Sequence, residues 1–324
     1  MIPGGYKKHI IILSALTALL SCSSCGAKEN VPVYDNSVMG DFNEQNETQV
    51  QESAGDTENE MPDEMPYGVG VFSWDHLPLV SDIECMKDNC ITEIYQYISP
   101  ENTDEEIKEF LEDMATIGVE VYVLDGEPEW SYAENYEDME NVLLRVRSLN
   151  EEVSDEAAIK GIVFDVEPYI LDKWHNIPKQ LLEEYASNLR KIKEASFDSD
   201  LSLDFLVCIP YSYDLMGHDK MLRSIIRESD GIMVMNYNKG GEIDNITREA
   251  ALARYYEKRL VNVYELQPGL LSQTNNSITY YNDGVEAAMD NYRELLRAYP
   301  DHDISVAFHT LDYFKVLSLG DNED

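Results

Sequence analysis

Eight short runs rich in β-branched and aromatic residues recur along the chain, at 68–74, 92–98, 119–125, 160–166, 201–208, 231–237, 260–266 and 303–308. Helical patterns separate most of them. Thr103 and Glu106 form a capping box ahead of a helix whose Ile107, Phe110, Leu111 and Met114 line one face. Further helices are predicted at 136–150, 178–195, 247–258 and 284–298, with shorter ones at 79–88 and 218–228. Strands alternating with helices make a parallel sheet, and eight of them in about 250 residues suit a closed (β/α)8 TIM barrel. A doubly wound open sheet has fewer strands and a glycine-rich first turn, and neither G-x-G-x-x-G nor G-x-x-x-x-G-K occurs. About a dozen residues follow the eighth run, so the last helix must be short or missing.

The chain ahead of the barrel has two parts. Residues 1–21 read as a lipoprotein signal peptide: Lys7 and Lys8, then an apolar core from Ile10 to Leu20 that is too short to span a bilayer comfortably. It ends in LLSCSSCG, where a small residue before a cysteine resembles a bacterial lipobox. Cys22 is the expected lipidation site, with Cys25 as the fallback. Residues 22–66 read as a disordered acidic tether. From Ala27 to Pro66 there are eleven acids against one lysine, and only Tyr34 and Phe42 are aromatic. Such a segment buries too little apolar surface to offset its chain entropy. The expectation is an extracytoplasmic protein, anchored to a bacterial membrane by lipid and acting as a monomer.

Residues 67–324 form the barrel segment, 258 residues long. Taking −10 for the tether and +2 for the leader out of the chain's −39 leaves −31. A surface that acidic, with no basic stripe, excludes nucleic acid as a partner. Cys85, Cys90 and Cys208 remain; an odd count without nearby histidines argues against a metal site or disulfide framework. Cys208 reads as a small buried hydrophobe. No feature calls for a cofactor or a metal.

In such barrels chemistry sits at the C-terminal ends of the strands, and polar residues collect there. The fourth run, GIVFDVEPY at 161–169, delivers Asp165 and Glu167 to one face of a strand, since residues i and i+2 share a side. Either this is a solvated strand edge or a pair of acids brought to one spot. Trp74, Asp125, Glu127, Trp130, Tyr169, Tyr211, Asn236, Tyr237, Asn238 and Glu265 stand at or just beyond other strand ends. Aromatic faces stack on sugar rings and carboxylates perform glycosidic acid–base work, so these residues are candidates for holding a glycan. Each has a plainer reading. Trp74 and Trp130 can cap the barrel, Trp174 can be a loop residue or a subsite wall, Asp125 and Glu127 can be solvated acids, and His309 reads as a structural histidine.

GIVFDVE resembles the D-G-x-D-x-D-x-E signature of family 18 glycoside hydrolases, the chitinase and endo-β-N-acetylglucosaminidase group. Aligned on its last residue, it matches at Gly161, Asp165 and Glu167 and departs at Lys160 and Val163, where the family has aspartates. MNYN, residues 235–238, is similar to the family's M-x-Y-D, with Asn238 for Asp. The resemblance implies a TIM barrel acting on N-acetylhexosamine-containing glycans. Glu167 would be the general acid, while Asp165 would orient the substrate's acetamide and Tyr237 would hydrogen-bond its oxygen. The attacking group is then the substrate's own acetamide oxygen. Val163 replaces an acid that in the family sits deeper and relays charge to the middle aspartate, so reduced or absent turnover, leaving a glycan-binding lipoprotein, is an open alternative. VEP at 166–168 also resembles the N-E-P of retaining barrel glycosidases. In that reading Glu265 would be a nucleophile about 5 Å from Glu167, although Val166 stands where that pattern has asparagine.

Overall fold

The structure is a computed structural model that describes residues 68–196, 202–269 and 277–319. The expected leader, Cys22, Cys25 and the acidic tether lie outside the described residues. Eight parallel strands close on themselves: β1 (Val69–Ser73), β2 (Glu93–Tyr97), β3 (Glu120–Asp125), β4 (Gly161–Phe164), β5 (Asp204–Pro210), β6 (Gly231–Met235), β7 (Arg259–Glu265) and β8 (Ile304–His309). Each pairs with the next, and β8 pairs with β1. This is the expected TIM barrel. Between the strands run α1 (Val80–Asp88), α2 (Asp104–Thr116), α3 (Tyr136–Asn150), α4 (Pro178–Ser196), α5 (Asp219–Glu228), the single turn α6 (Glu242–Asn245), α7 (Thr247–Tyr256), α8 (Gly284–Ala298) and α9 (Leu311–Ser318).

Local chemistry explains the boundaries. Thr103 caps α2 by accepting from the Glu106 amide at 3.2 Å, and the Glu106 carboxylate accepts from the Thr103 amide at 2.8 Å. The expected face of Ile107, Phe110, Leu111 and Met114 is buried. β5 runs later than the apolar pattern at 201–208 suggests, because its register on β4 begins with Gly161 opposite Asp204. The short last helix also follows expectation: α9 has eight residues. Its Lys315 reaches Asp82 and Ser81 of α1, both at 2.6 Å, and so braces the β8–β1 seam. Among the described residues no helix is long and apolar enough to cross a membrane.

Alternate strand residues face the barrel interior. At the foot, where the strands begin, Arg259 donates to both oxygens of Glu93 at 2.7 and 2.6 Å and to Ser305 at 3.2 Å. The Tyr95 hydroxyl adds a 2.5 Å bond to Glu93. Higher up the lining is apolar: Val163 pairs in register with Leu124 and Leu206, and all three are buried. Acids reappear only at the C-terminal rim.

Candidate active site

β4 is assigned only to Phe164, but the extended path continues. The Asp165 amide donates to the Asp125 carbonyl at 3.0 Å, so Asp165 keeps the inward face of Val163. Gly126 permits this close approach, since a Cβ there would stand 2.2 Å from the Asp165 carbonyl oxygen. Pro168 then opens a 3-10 turn, Pro168–Ile170, that brings Tyr169 back over Glu167. The Tyr169 hydroxyl donates to Glu167 Oε1.

Glu167 is 3% exposed and Asp165 8%. Burial first, and the neighbouring Asp165 charge second, push the Glu167 carboxyl well above the usual range; the Tyr169 hydrogen bond opposes them in part. A carboxyl held protonated beside an acid partner is the equipment of a general acid.

A cavity of about 390 Å³ opens at this rim, and Trp74, Glu127, Asp165, Glu167, Ile170 and Leu171 are among its lining residues. A larger hollow of about 520 Å³ lies at the foot, by Arg254, Lys258, Asp301 and His302. Its charges include the exposed Arg254–Asp301 pair at 3.7 Å, and no buried acid pair faces it. The acid pair, not the volume, selects the rim cavity.

Tyr237 is buried and its phenol stays a donor: burial, then Glu265, Asp165 and Glu167 among its neighbours, hold its pKa well above the usual value. Its ring lies 6.5 Å from that of His309. Nδ1 of His309 meets Glu265 Oε2 at 2.9 Å, and the backbone N–H of Gln267 donates to Glu265 Oε1 at 2.7 Å. Burial would lower the pKa of this imidazole, but the Glu265 carboxylate outweighs it and the net shift is upward.

The structure therefore groups Asp165, Glu167, Tyr169, Trp74 and Glu127 at the rim, with Tyr237 and Glu265 facing the same interior. Other candidates lie elsewhere. Trp130 packs edge-on against Phe164 on the helix side of β4. Because Tyr237 faces inward, Asn236 faces out, where its amide bonds the Glu242 carbonyl and Asn262 Oδ1, both at 2.9 Å. Asn238 joins the same cluster through Asn245 at 3.3 Å. The Asp125 carboxylate accepts from the Gly126 amide at 2.8 Å, and Tyr211 is buried beyond β5. Trp174, in the 3-10 turn Asp172–His175 that follows β4, stacks on Tyr213.

Two residues near the acid pair have no role in the sequence reading, which places Tyr213 at the end of the fifth strand and Cys208 in the core. Tyr213 is buried, and its phenol pKa is pushed up by burial and by Glu167 and Asp165. Cys208 on β5 is buried, and burial, then the charges of Asp165 and Glu167, push its thiol pKa well above the usual value. Alternation along β5, counted from its register with β4, would have placed Cys208 on the inward face. Cys85, Cys90 and Cys208 are free thiols. Among the described residues no group of three or more His, Cys, Asp or Glu side chains is placed to hold a metal ion.

No protein-family model matches the sequence, and no curated protein is significantly similar to it. Solved structures share the fold. A candidate alpha-L-fucosidase from Bacteroides thetaiotaomicron is 12% identical, with 75% of this chain and 87% of that one covered at a TM-score of 0.52. A chitinase from the same organism is 12% identical over 76% and 90%, at 0.50. The C-terminal domain of a candidate chitinase from Desulfitobacterium hafniense is 7% identical over 78% and 96%, at 0.50. Likeness at this identity speaks for the barrel, not for a reaction.

Proposed function

We propose that this chain is a glycoside hydrolase acting on N-acetylhexosamine-containing glycans, with Glu167 as general acid. The observation that carries the reading is the buried Glu167 carboxyl, kept protonated beside Asp165 on the wall of the rim cavity. In this reading Glu167 gives its proton to the glycosidic oxygen as the bond from that oxygen to C1 breaks. The acetamide oxygen of the same sugar forms a bond to C1 from the other face, giving a cyclic cation. Water then adds at C1, the acetamide oxygen leaves, and the water's proton returns to Glu167. One water is consumed and the anomeric configuration is retained. Asp165 orients the acetamide and balances the cation, and Tyr237 donates to the acetamide oxygen. Those two roles follow the family 18 resemblance; their placement on the same interior as Glu167 supports them.

The competing pair, Glu167 with Glu265 as nucleophile, asks Glu265 for a free oxygen, whereas its two oxygens accept from His309 and Gln267. A glycan-binding barrel without turnover is the second reading, and Val163 favours it. The proposal also places the barrel outside the cytoplasm on a lipid at Cys22, so that Cys22→Ser would release it from membranes.

The deciding experiment is a glycan panel assayed for both binding and cleavage, with wild type and Glu167→Gln. Cleavage of N-acetylglucosaminide oligomers that falls about a thousandfold in the variant supports the reading. Binding without cleavage by the wild type replaces it with the glycan-binding one.

A further inference from the structure

The rim cavity carries charge beyond the acid pair. Three further carboxylates stand on its wall: Glu127 just past β3, Glu129 in the 3-10 turn Pro128–Ser131, and Asp172 opening the 3-10 turn Asp172–His175 past β4. Among the described residues that line the cavity there is no lysine, arginine or histidine. Lys173, next to Asp172, lays its ammonium over the Tyr132 ring at 4.5 Å instead. Glu129 and Asp172 are exposed, and among the described residues neither carboxylate has a hydrogen bond or an ion pair. Uncompensated charges around a concave wall add their fields, drawing cations in and keeping anions out. Trp74 on the same wall favours the same sign, since an indole face attracts an ammonium.

We propose that this cavity selects amino-sugar glycans that carry free ammonium groups, the class of partly de-N-acetylated N-acetylglucosamine oligomers, and rejects sugars that carry carboxylates. Acids by themselves make a solvated surface. Here they border a concave site whose wall also holds the buried Glu167, 3% exposed, and an aromatic ring. For the reaction the inference rests on the glycosidase reading, and that reading fixes where the ammonium can be. The sugar whose bond is cut must keep its acetamide, because the acetamide oxygen forms the new bond to C1. The ammonium therefore belongs to a neighbouring sugar, held by Glu129 and Asp172. Exposed ion pairs are weak one by one, and two or three carboxylates acting on one cation amount to about tenfold in affinity.

The test is calorimetric binding to the full chain carrying Glu167→Gln, so that cleavage does not intrude. The probes are an N-acetylglucosamine tetramer, the same tetramer keeping a single acetamide, and a carboxylate-bearing tetramer. The cationic tetramer should bind about tenfold more tightly than the acetylated one at low salt, and the carboxylate-bearing one more weakly than either. The gap should close in 1 M salt, where charges are screened beyond about 3 Å. Adding Glu129→Gln and Asp172→Asn should remove most of it. Adding Glu109→Gln and Asp113→Asn instead, exposed on α2 and not on the cavity wall, should leave it in place, which separates the wall from the general pull of an acidic chain. Equal affinities, a gap that survives the Glu129 and Asp172 substitutions, a gap lost equally in the α2 variant, or no binding of any tetramer overturns the proposal. If the cationic tetramer is preferred and the wild type cleaves none of the three, the glycosidase reading falls and the charge selection stands. If the wild type cleaves the acetylated tetramer and the affinities are equal, the reverse holds.

Discussion

The carbonyl oxygen of Asp165 lies 2.2 Å from the point where a side chain on Gly126 would begin. The end of β3 is thus pressed against the backbone that carries the acid pair. Gly126→Ala must push the two apart, at a cost of about 2 kcal/mol. A displacement approaching 1 Å at the reacting groups lowers kcat/KM about a hundredfold. Thermal melting and steady-state kinetics on the same preparation check both effects, and a fully active Gly126→Ala would deny the close approach any catalytic weight.

Tyr169 donates to the carboxylate form of Glu167 and so opposes the upward push of burial and Asp165. Removing that donor leaves the push unopposed. In Tyr169→Phe the alkaline limb of kcat/KM, where Glu167 loses its proton, should move up by roughly one pH unit. A limb that moves down would mean that Tyr169 stabilises the protonated acid instead.

Glu265→Gln addresses the buried pair with His309. The pKa of His309 is raised in the folded protein, so the stability the pair contributes is fully present below the ordinary histidine value of 6.5 and fades as pH rises through the folded value. The gap in Tm between wild type and variant should be widest in mild acid and narrow above neutrality. Turnover should remain within about tenfold of wild type, whereas loss of a true nucleophile would cost about ten-thousandfold.

Glu249 on α7 is fully buried, and neither of its carboxyl oxygens has a hydrogen-bond partner among the described residues. Burial, then Asp214, raises its pKa from 4.5 to about 9. Between those values the unfolded chain has released the proton and the folded protein still holds it, so rising pH favours unfolding. Glu249→Gln removes this titration. Its Tm should fall less than that of wild type across the same window, and parallel curves would show that Glu249 is ionised in the fold.

Much of this was legible in the residues. The eight apolar runs correspond to the eight strands, and the spacing of Asp165 and Glu167 already put both on one face. What stayed hidden depends on contacts between strands. Asn236 and Tyr237 are neighbours in the same motif, yet on a pleated strand only one can face inward, and which one is set by the register with β5 and β7. Trp130 follows a strand end but folds back to the helix side of Phe164. Cys208 sits in an apolar run that looks like core, and it is buried as that run suggests.

A basic side chain stands at each end of the barrel's interior, and the two answer differently to their surroundings. The guanidinium of Arg259, at the foot, stays charged at any pH the protein can meet, its own pKa pushed further up by Tyr95 and Glu93 against the cost of burial. The imidazole of His309, at the mouth, can lose its proton, although the Glu265 carboxylate holds its pKa above the usual value. One end of the core is thus electrically constant while the other can register the acidity of the medium. The mouth could change its charge without the foot loosening its grip on the strands.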